Sequence, residues 1–201
     1  MNLWIAISLF AGFVVALGIF AAGVYNRLVA LGTNCENAFA QIELQLKRRY
    51  DLIPNLVECV KSYMEHEKNT LESVIAARNQ AAAGLKQAAQ QPQNHDAMQA
   101  WIGAERALNG ALGRLTAVIE AYPNLKADAS VAGLTEELTS TENRIAFARQ
   151  AYNDWVTGFN TNRLAFPNCL FAGLLGFGRN RKHVEFADAQ KLVDAPRVML
   201  A

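Results

Sequence analysis

The sequence predicts an all-α protein, an N-terminal transmembrane helix continuing into a long antiparallel helical bundle. The first indication is Leu3 to Val24, LWIAISLFAGFVVALGIFAAGV, which carries no charge. The second is an eleven-residue apolar beat from Leu28 to Arg78, which is helical spacing. The third is composition: of 201 residues 52% are apolar but only 9% aromatic, and only five are proline, so Ala, Leu and Val dominate, as they do in helices.

A helix of roughly 20 apolar residues crosses the hydrocarbon core. A signal peptide would need a cationic start and a shorter apolar run, so 3–24 is expected to stay as an anchor behind a short outer N-terminus, residues 1–2. Trp4 and Tyr25 stand near its two ends, where interfacial aromatics belong. Arg27 follows directly and no basic side chain precedes the span. The positive-inside rule therefore puts the N-terminus outside and the bundle in the cytoplasm. Ser8, Gly12 and Ala16 recur every four residues, a small-residue face that lets helices approach closely in lipid. That face is the expected surface of self-association into a homo-oligomer.

Beyond the span, Leu31, Ile42, Ile53, Met64 and Ile75 share one stripe, flanked by Cys35, Leu46 and Val57 and by Leu28, Phe39 and Tyr50. A stripe this regular suggests one helix running from the span to Arg78. Pro54 lies inside it. Proline removes a backbone donor and frees the carbonyl four residues earlier, that of Tyr50. It is expected to mark a helix kink, giving three long helices; a break there would give four. The Ala/Gln-rich stretch from Asn79 to Asn94, with Gly84 and Pro92, reads as the distal turn. A second helix runs from Asn94, a good N-cap, to Ala121, stopped by Tyr122-Pro123. A third runs from Ser130 to Phe166, returning toward the distal end by its length. The bundle thus spans 25–166, and 167–201 forms a tail packing on it. The apolar run Cys169 to Phe177, followed by Arg179, Arg181 and Lys182, would alternatively suit a membrane surface.

Signals for chemistry are few. His66, His95 and His183 form no metal-binding motif, and the phosphate-loop pattern G-x-x-x-x-G-K-[ST] is missing, so neither catalytic residues nor a metal or cofactor is expected. Cys35, Cys59 and Cys169 are odd in number and scattered, which suits reduced thiols. A net charge of +1 argues against nucleic acid as a partner. The cluster Lys47, Arg48 and Arg49, with Glu58, Glu142, Arg144 and Arg149, is expected either to fix helix register through polar layers or to form a partner-binding stripe. On a straight helix the cluster would stand roughly 35 Å from the membrane, beyond a Debye length of about 10 Å, which excludes direct headgroup contact.

Two stretches are specific enough to identify a family. YNRLVALGTNCENAFAQIELQLKRRYDLIPNLVECVKSYMEHEKNTLESVIAAR and AYPNLKADASVAGLTEELTSTENRIAFARQAYNDWVTGFN resemble the two halves of LemA family proteins, covering about Tyr25 to at least Phe186. Gly32 and Thr33 depart from that pattern, where charged residues are more usual. The resemblance implies a single-pass protein of the bacterial cytoplasmic (inner) membrane, with a short outer N-terminus and a helical bundle of poorly defined molecular role. It also implies a membrane metalloprotease as a conceivable partner, since such enzymes are often encoded nearby. The expected function is a non-enzymatic scaffold or adaptor. A self-assembling, membrane-shaping oligomer is the alternative.

Overall fold

The computed structural model describes residues 2–91 and 94–184, all helical or irregular with no strand among them. Helix α1 runs Asn2–Lys61, α2 Lys68–Gln90, α3 His95–Ala121, α4 Pro123–Lys126, α5 Ala129–Leu164 and α6 Asn168–Ala172. The chain forms two compact units. One combines residues 2–40 with Gln150–His183, and the other Gln41–Arg149 with Val184.

In the second unit, α1 passes through Pro54 without breaking and ends at Lys61. The expected continuation to Arg78 is corrected here. The chain turns at Ser62–Glu67 through a short 3-10 turn, Glu65–Glu67, held by Tyr63 N–H to the Val60 carbonyl at 3.1 Å and Glu67 N–H to the Met64 carbonyl at 3.0 Å. No glycine or proline marks this reversal. Met64 stays buried within it, so the apolar beat crosses the turn unbroken and conceals it. The bundle has a fourth helix, and the break lies a turn or two beyond Pro54.

The expected distal turn at Asn79–Asn94 is corrected as well. Helix α2 runs through it to Gln90, burying Leu71, Val74, Ala81, Leu85 and Ala88. Gly84 is an approach point, not a breaker. A Cβ there would come within 3.2 Å of the Trp101 Cα, so its absence lets α2 and α3 pack backbone to side chain. Pro92 lies outside the described residues. The Asn94 side chain accepts from the N–H groups of Asp96 (3.0 Å) and Ala97 (3.3 Å), the expected cap of α3. The cap of α5 is Asp128, which accepts from Ser130 N–H (2.8 Å) and Val131 N–H (3.1 Å), two residues before the expected start.

In the first unit, residues 150–164 of α5 run antiparallel to α1. Phe39 meets Tyr152 with ring centroids 5.6 Å apart. The Phe159 ring approaches Gly32, where a Cβ would be 3.9 Å from it. The end of α5 therefore lies toward the apolar N-terminal stretch of α1. The expectation that this helix returns to the distal end is overturned, because the missed turn at Ser62–Glu67 reverses the direction of every later helix. Past α6 the chain doubles back along α5. Asn160 pairs with the backbone of Arg181 in both directions, at 2.9 Å each, and the Tyr152 hydroxyl donates to the Lys182 carbonyl at 3.0 Å. Residues 185–201 of the expected tail lie outside the described residues.

Candidate functional site

The basic cluster of α1 divides by helical phase. Lys47 is exposed. Arg48, half exposed, reaches Glu137 of α5 at 2.5 Å. Arg49 turns inward and is 2% exposed. Its guanidinium bridges Glu105 of α3 at 2.6 Å and Glu142 of α5, and the Tyr50 hydroxyl donates to the other Glu105 oxygen. One arginine thus ties three helices together. Burial pushes the Glu105 carboxyl above its ordinary range, while Arg49 and the hydrogen bond from Tyr50 pull it back. Burial and the adjacent Glu105 charge also raise the Tyr50 hydroxyl. Buried charges at this spacing hold helix register, because sliding any helix by a turn would leave a desolvated charge unpaired. The Arg49 Nε and the Gln45 Oε1 are buried without a hydrogen-bond partner.

Of the other residues expected to form this polar layer, Glu58 is exposed and pairs within its own helix with Lys61 at 3.4 Å, and Arg144 is exposed. Arg149 is half buried. The structure therefore gathers Arg48, Arg49 and Glu142 with Glu105 and Glu137, and leaves Glu58 and Arg144 outside the gathering.

Pro54 has a specific complement. The Tyr50 carbonyl that it strips of its helical partner accepts a hydrogen bond from Arg78 Nε at 2.9 Å, while Arg78 also lies 3.7 Å from Asp51. A side chain of α2 replaces the backbone donor missing from α1. Beside it, a groove of about 1350 Å³ runs along Pro54, Val57, Met64, Leu71 and Ile75, with Glu58, Lys61, Lys68 and Glu72 at its edges.

A second cluster, not foreseen as a unit, lies where the returning chain crosses α1. Arg181 stands 5.1 Å over the Phe159 ring and pairs with Glu36 at 3.0 Å. A Cβ on Gly32 would come within 3.2 Å of the Arg181 guanidinium. Gly32, where charged residues are more usual in the family, thus leaves room for the Arg181 guanidinium. Burial raises the Cys35 thiol against the pull of Arg181, and burial pushes the Tyr152 hydroxyl up to about 12. Both are held neutral and behave as packing groups. Among the described residues no group of three or more His, Cys, Asp or Glu side chains is placed to hold a metal ion.

The first turns of α1 are a site of a different kind. Its N-terminal stretch has a mean hydropathy of 2.5 over eighteen residues with none of them buried. Ser8, Gly12 and Ala16 are all exposed; the Ser8 hydroxyl bonds back to the Ile5 carbonyl at 2.9 Å, and nothing lies within 4 Å of where a Gly12 Cβ would be. Leu3, Trp4, Leu9, Phe10 and Ile19 are each more than two-thirds exposed, and the stretch is long and apolar enough to cross a bilayer. The protein is membrane-associated through this helix.

Comparison with known proteins agrees with this description. Magnetosome protein MamQ 2 of Paramagnetospirillum magneticum (strain AMB-1) is 27% identical over 188 residues, 86% of this chain and 67% of its own length. Magnetosome protein MamQ of Magnetospirillum gryphiswaldense (strain MSR-1) is 26% identical over 187 residues, with the same two shares. Residues 38–199 match the LemA family, which takes in the basic cluster, Pro54, Glu105, Glu142 and the returning chain. The chain belongs to the LemA family.

Proposed function

We propose that the protein is a non-enzymatic scaffold of the bacterial inner membrane, holding its bundle at the cytoplasmic face for a protein partner. The observation that carries this reading is the continuity of α1. One helix, Asn2–Lys61, supplies both the exposed apolar stretch and, through Arg49, the residue that ties three bundle helices. Arg27 just past the span, with no basic side chain before it, supports the cytoplasmic placement.

The bundle also carries large apolar side chains in the open. Leu44 is 58% exposed and Phe147 71%. Since Arg49 pairs with Glu142 on antiparallel helices, Leu44 five residues before the one and Phe147 five after the other stand at the same level. A photo-crosslinking amino acid in place of Leu44 or Phe147 in intact cells should yield a discrete adduct of one protein partner, a membrane metalloprotease being one that the family suggests. An adduct of a second copy of this chain would favour the self-assembling, membrane-shaping reading, in which Ser8, Gly12 and Ala16 form the contact in the bilayer. No protein adduct at either position would contradict both.

A further inference from the structure

The end of α5 and the segment after it form a hook. Leu164, Phe166 and Leu170 precede the turn at residues 173–176, and Leu174 lies within it. Helix α6 buries Ala172 inward, Phe177 N–H returns to the Ala172 carbonyl at 2.8 Å, and Gly176 at φ 90° makes the reversal that a side chain would strain. Arg163 then clamps the outgoing chain, donating to the Asn180 side chain at 3.0 Å and the Gly178 carbonyl at 3.1 Å. The hook is thus built, with an inner and an outer face.

Its place along α1 is fixed by two ring contacts. Phe171 meets Phe20 with centroids 5.6 Å apart, and Phe177 meets Tyr25 at 5.8 Å. Val24, between them, is only 5% exposed. Phe20 lies four residues inside the uncharged stretch Leu3 to Val24, about 6 Å of helix rise below its end. So the inner face of the hook covers the last turn of the membrane-spanning segment. The outer face is apolar and open. Phe166 is 81% exposed, Leu170 60% and Leu174 87%. Residues 164–184 contain no acidic side chain, and neither does α1 before Glu36. Arg27 and Arg179 are both exposed at this end.

We propose that the hook is a second membrane contact. Its outer face of Phe166, Leu170 and Leu174 sinks into the bilayer that α1 crosses, and Arg27 and Arg179 meet anionic phospholipid headgroups above it. The occupant is lipid because the surface is continuous with the span. A bilayer that surrounds α1 up to Val24 necessarily reaches anything packed against Phe20. An apolar face with cations at its polar edge is the arrangement that interfacial segments use. This rests on the anchoring role of α1 proposed above and adds a second point of attachment, which fixes how the protein stands on the surface.

Cys169 is exposed on the hook and serves as the reporter. The full chain with Cys35→Ala and Cys59→Ala, labelled at Cys169 with an environment-sensitive fluorophore, would be reconstituted in phosphatidylcholine vesicles with and without phosphatidylglycerol. A parallel chain carrying Cys169→Ala and Val14→Cys reports on the span. Nitroxide-labelled lipid should quench both probes, the Cys169 probe more strongly when the nitroxide is shallow and when phosphatidylglycerol is present. Iodide in the water should quench neither. Leu170→Asp with Leu174→Asp should cut lipid quenching at Cys169 several-fold and leave the Val14 probe unchanged. Lipid quenching at Val14 but only iodide quenching at Cys169 would overturn the hook and leave the anchor standing. Protection of Cys169 from both quenchers would assign the face to a second copy of the chain and overturn it too. Iodide quenching at both positions would overturn the anchor, and the hook with it.

Discussion

Glu105 is a carboxylate at 1% exposure, kept there by one buried arginine and a tyrosine hydroxyl. Because burial raises its folded pKa above the ordinary 4.5, the native state binds its proton at a pH where the unfolded chain has released it. Glu105 therefore contributes most to stability at low pH. That contribution declines as pH rises from about 4.5 through the raised folded value. Glu105→Gln removes the titration but keeps only one of the two acceptor oxygens that Arg49 and Tyr50 use, so the comparison is of the shape of the pH profile and not of absolute stability. Thermal melting of the detergent-solubilised protein across this window should show a fall with rising pH in the wild type that the variant lacks; parallel profiles would contradict the burial argument. Half of this site was legible beforehand. Arg48, Arg49 and Glu142 stand in the polar pattern, but which of three consecutive cations turns inward depends on helix phase against α3 and α5. The missed turn at Ser62–Glu67 left that phase undetermined. Tyr50 and Trp101 read as core residues and are buried, and Tyr50 also hydrogen-bonds to the Glu105 carboxylate.

Among elements, α1 poses the sharpest question, a proline in the interior of a helix that does not break. An interior proline costs about 3 kcal/mol, part of it the unpaired carbonyl. Arg78 on α2 offsets that part by donating to the Tyr50 carbonyl. A double-mutant cycle tests the pairing. Arg78→Ala in the wild-type chain leaves the carbonyl without its donor and should cost about 1–3 kcal/mol. In a Pro54→Ala chain the restored backbone N–H takes that carbonyl, so the same substitution should cost less, with a coupling of about 1–2 kcal/mol by chemical denaturation. Strictly additive losses would show that Arg78 does not compensate for the proline. Helix ends with a cap were legible: Asn94, and Tyr122-Pro123 as a stop. The turn after Lys61 was not, since it has neither glycine nor proline and Met64 keeps its place in the apolar beat. Gly84 misled in the opposite sense, because a glycine that admits Trp101 looks the same in sequence as one that ends a helix.

For the whole molecule, the proposed scaffold role requires the apolar N-terminal part of α1 to lie in a bilayer with the bundle on the cytoplasmic side. An uncharged run of this length was readable from composition alone, whereas the approach of α5 to its inner end required the correct count of helix reversals. The proposed orientation is supported by Arg27, the cation just past the span, with no basic side chain before it. A reporter must sit on the bundle surface, and Gln90, exposed at the end of α2, suits the purpose where the neighbouring buried Ala88 would not. The chain would carry Gln90→Cys with Cys59→Ala and Cys169→Ala, leaving only the buried Cys35 as background. Spheroplasts expressing it would be treated with a membrane-impermeant maleimide before and after permeabilisation, and the protein recovered from carbonate-washed membranes. Recovery in the membrane pellet and labelling only after permeabilisation are the expected results. Labelling of intact spheroplasts would place the bundle outside the cell, and recovery in the carbonate wash would remove the anchor on which the scaffold reading depends.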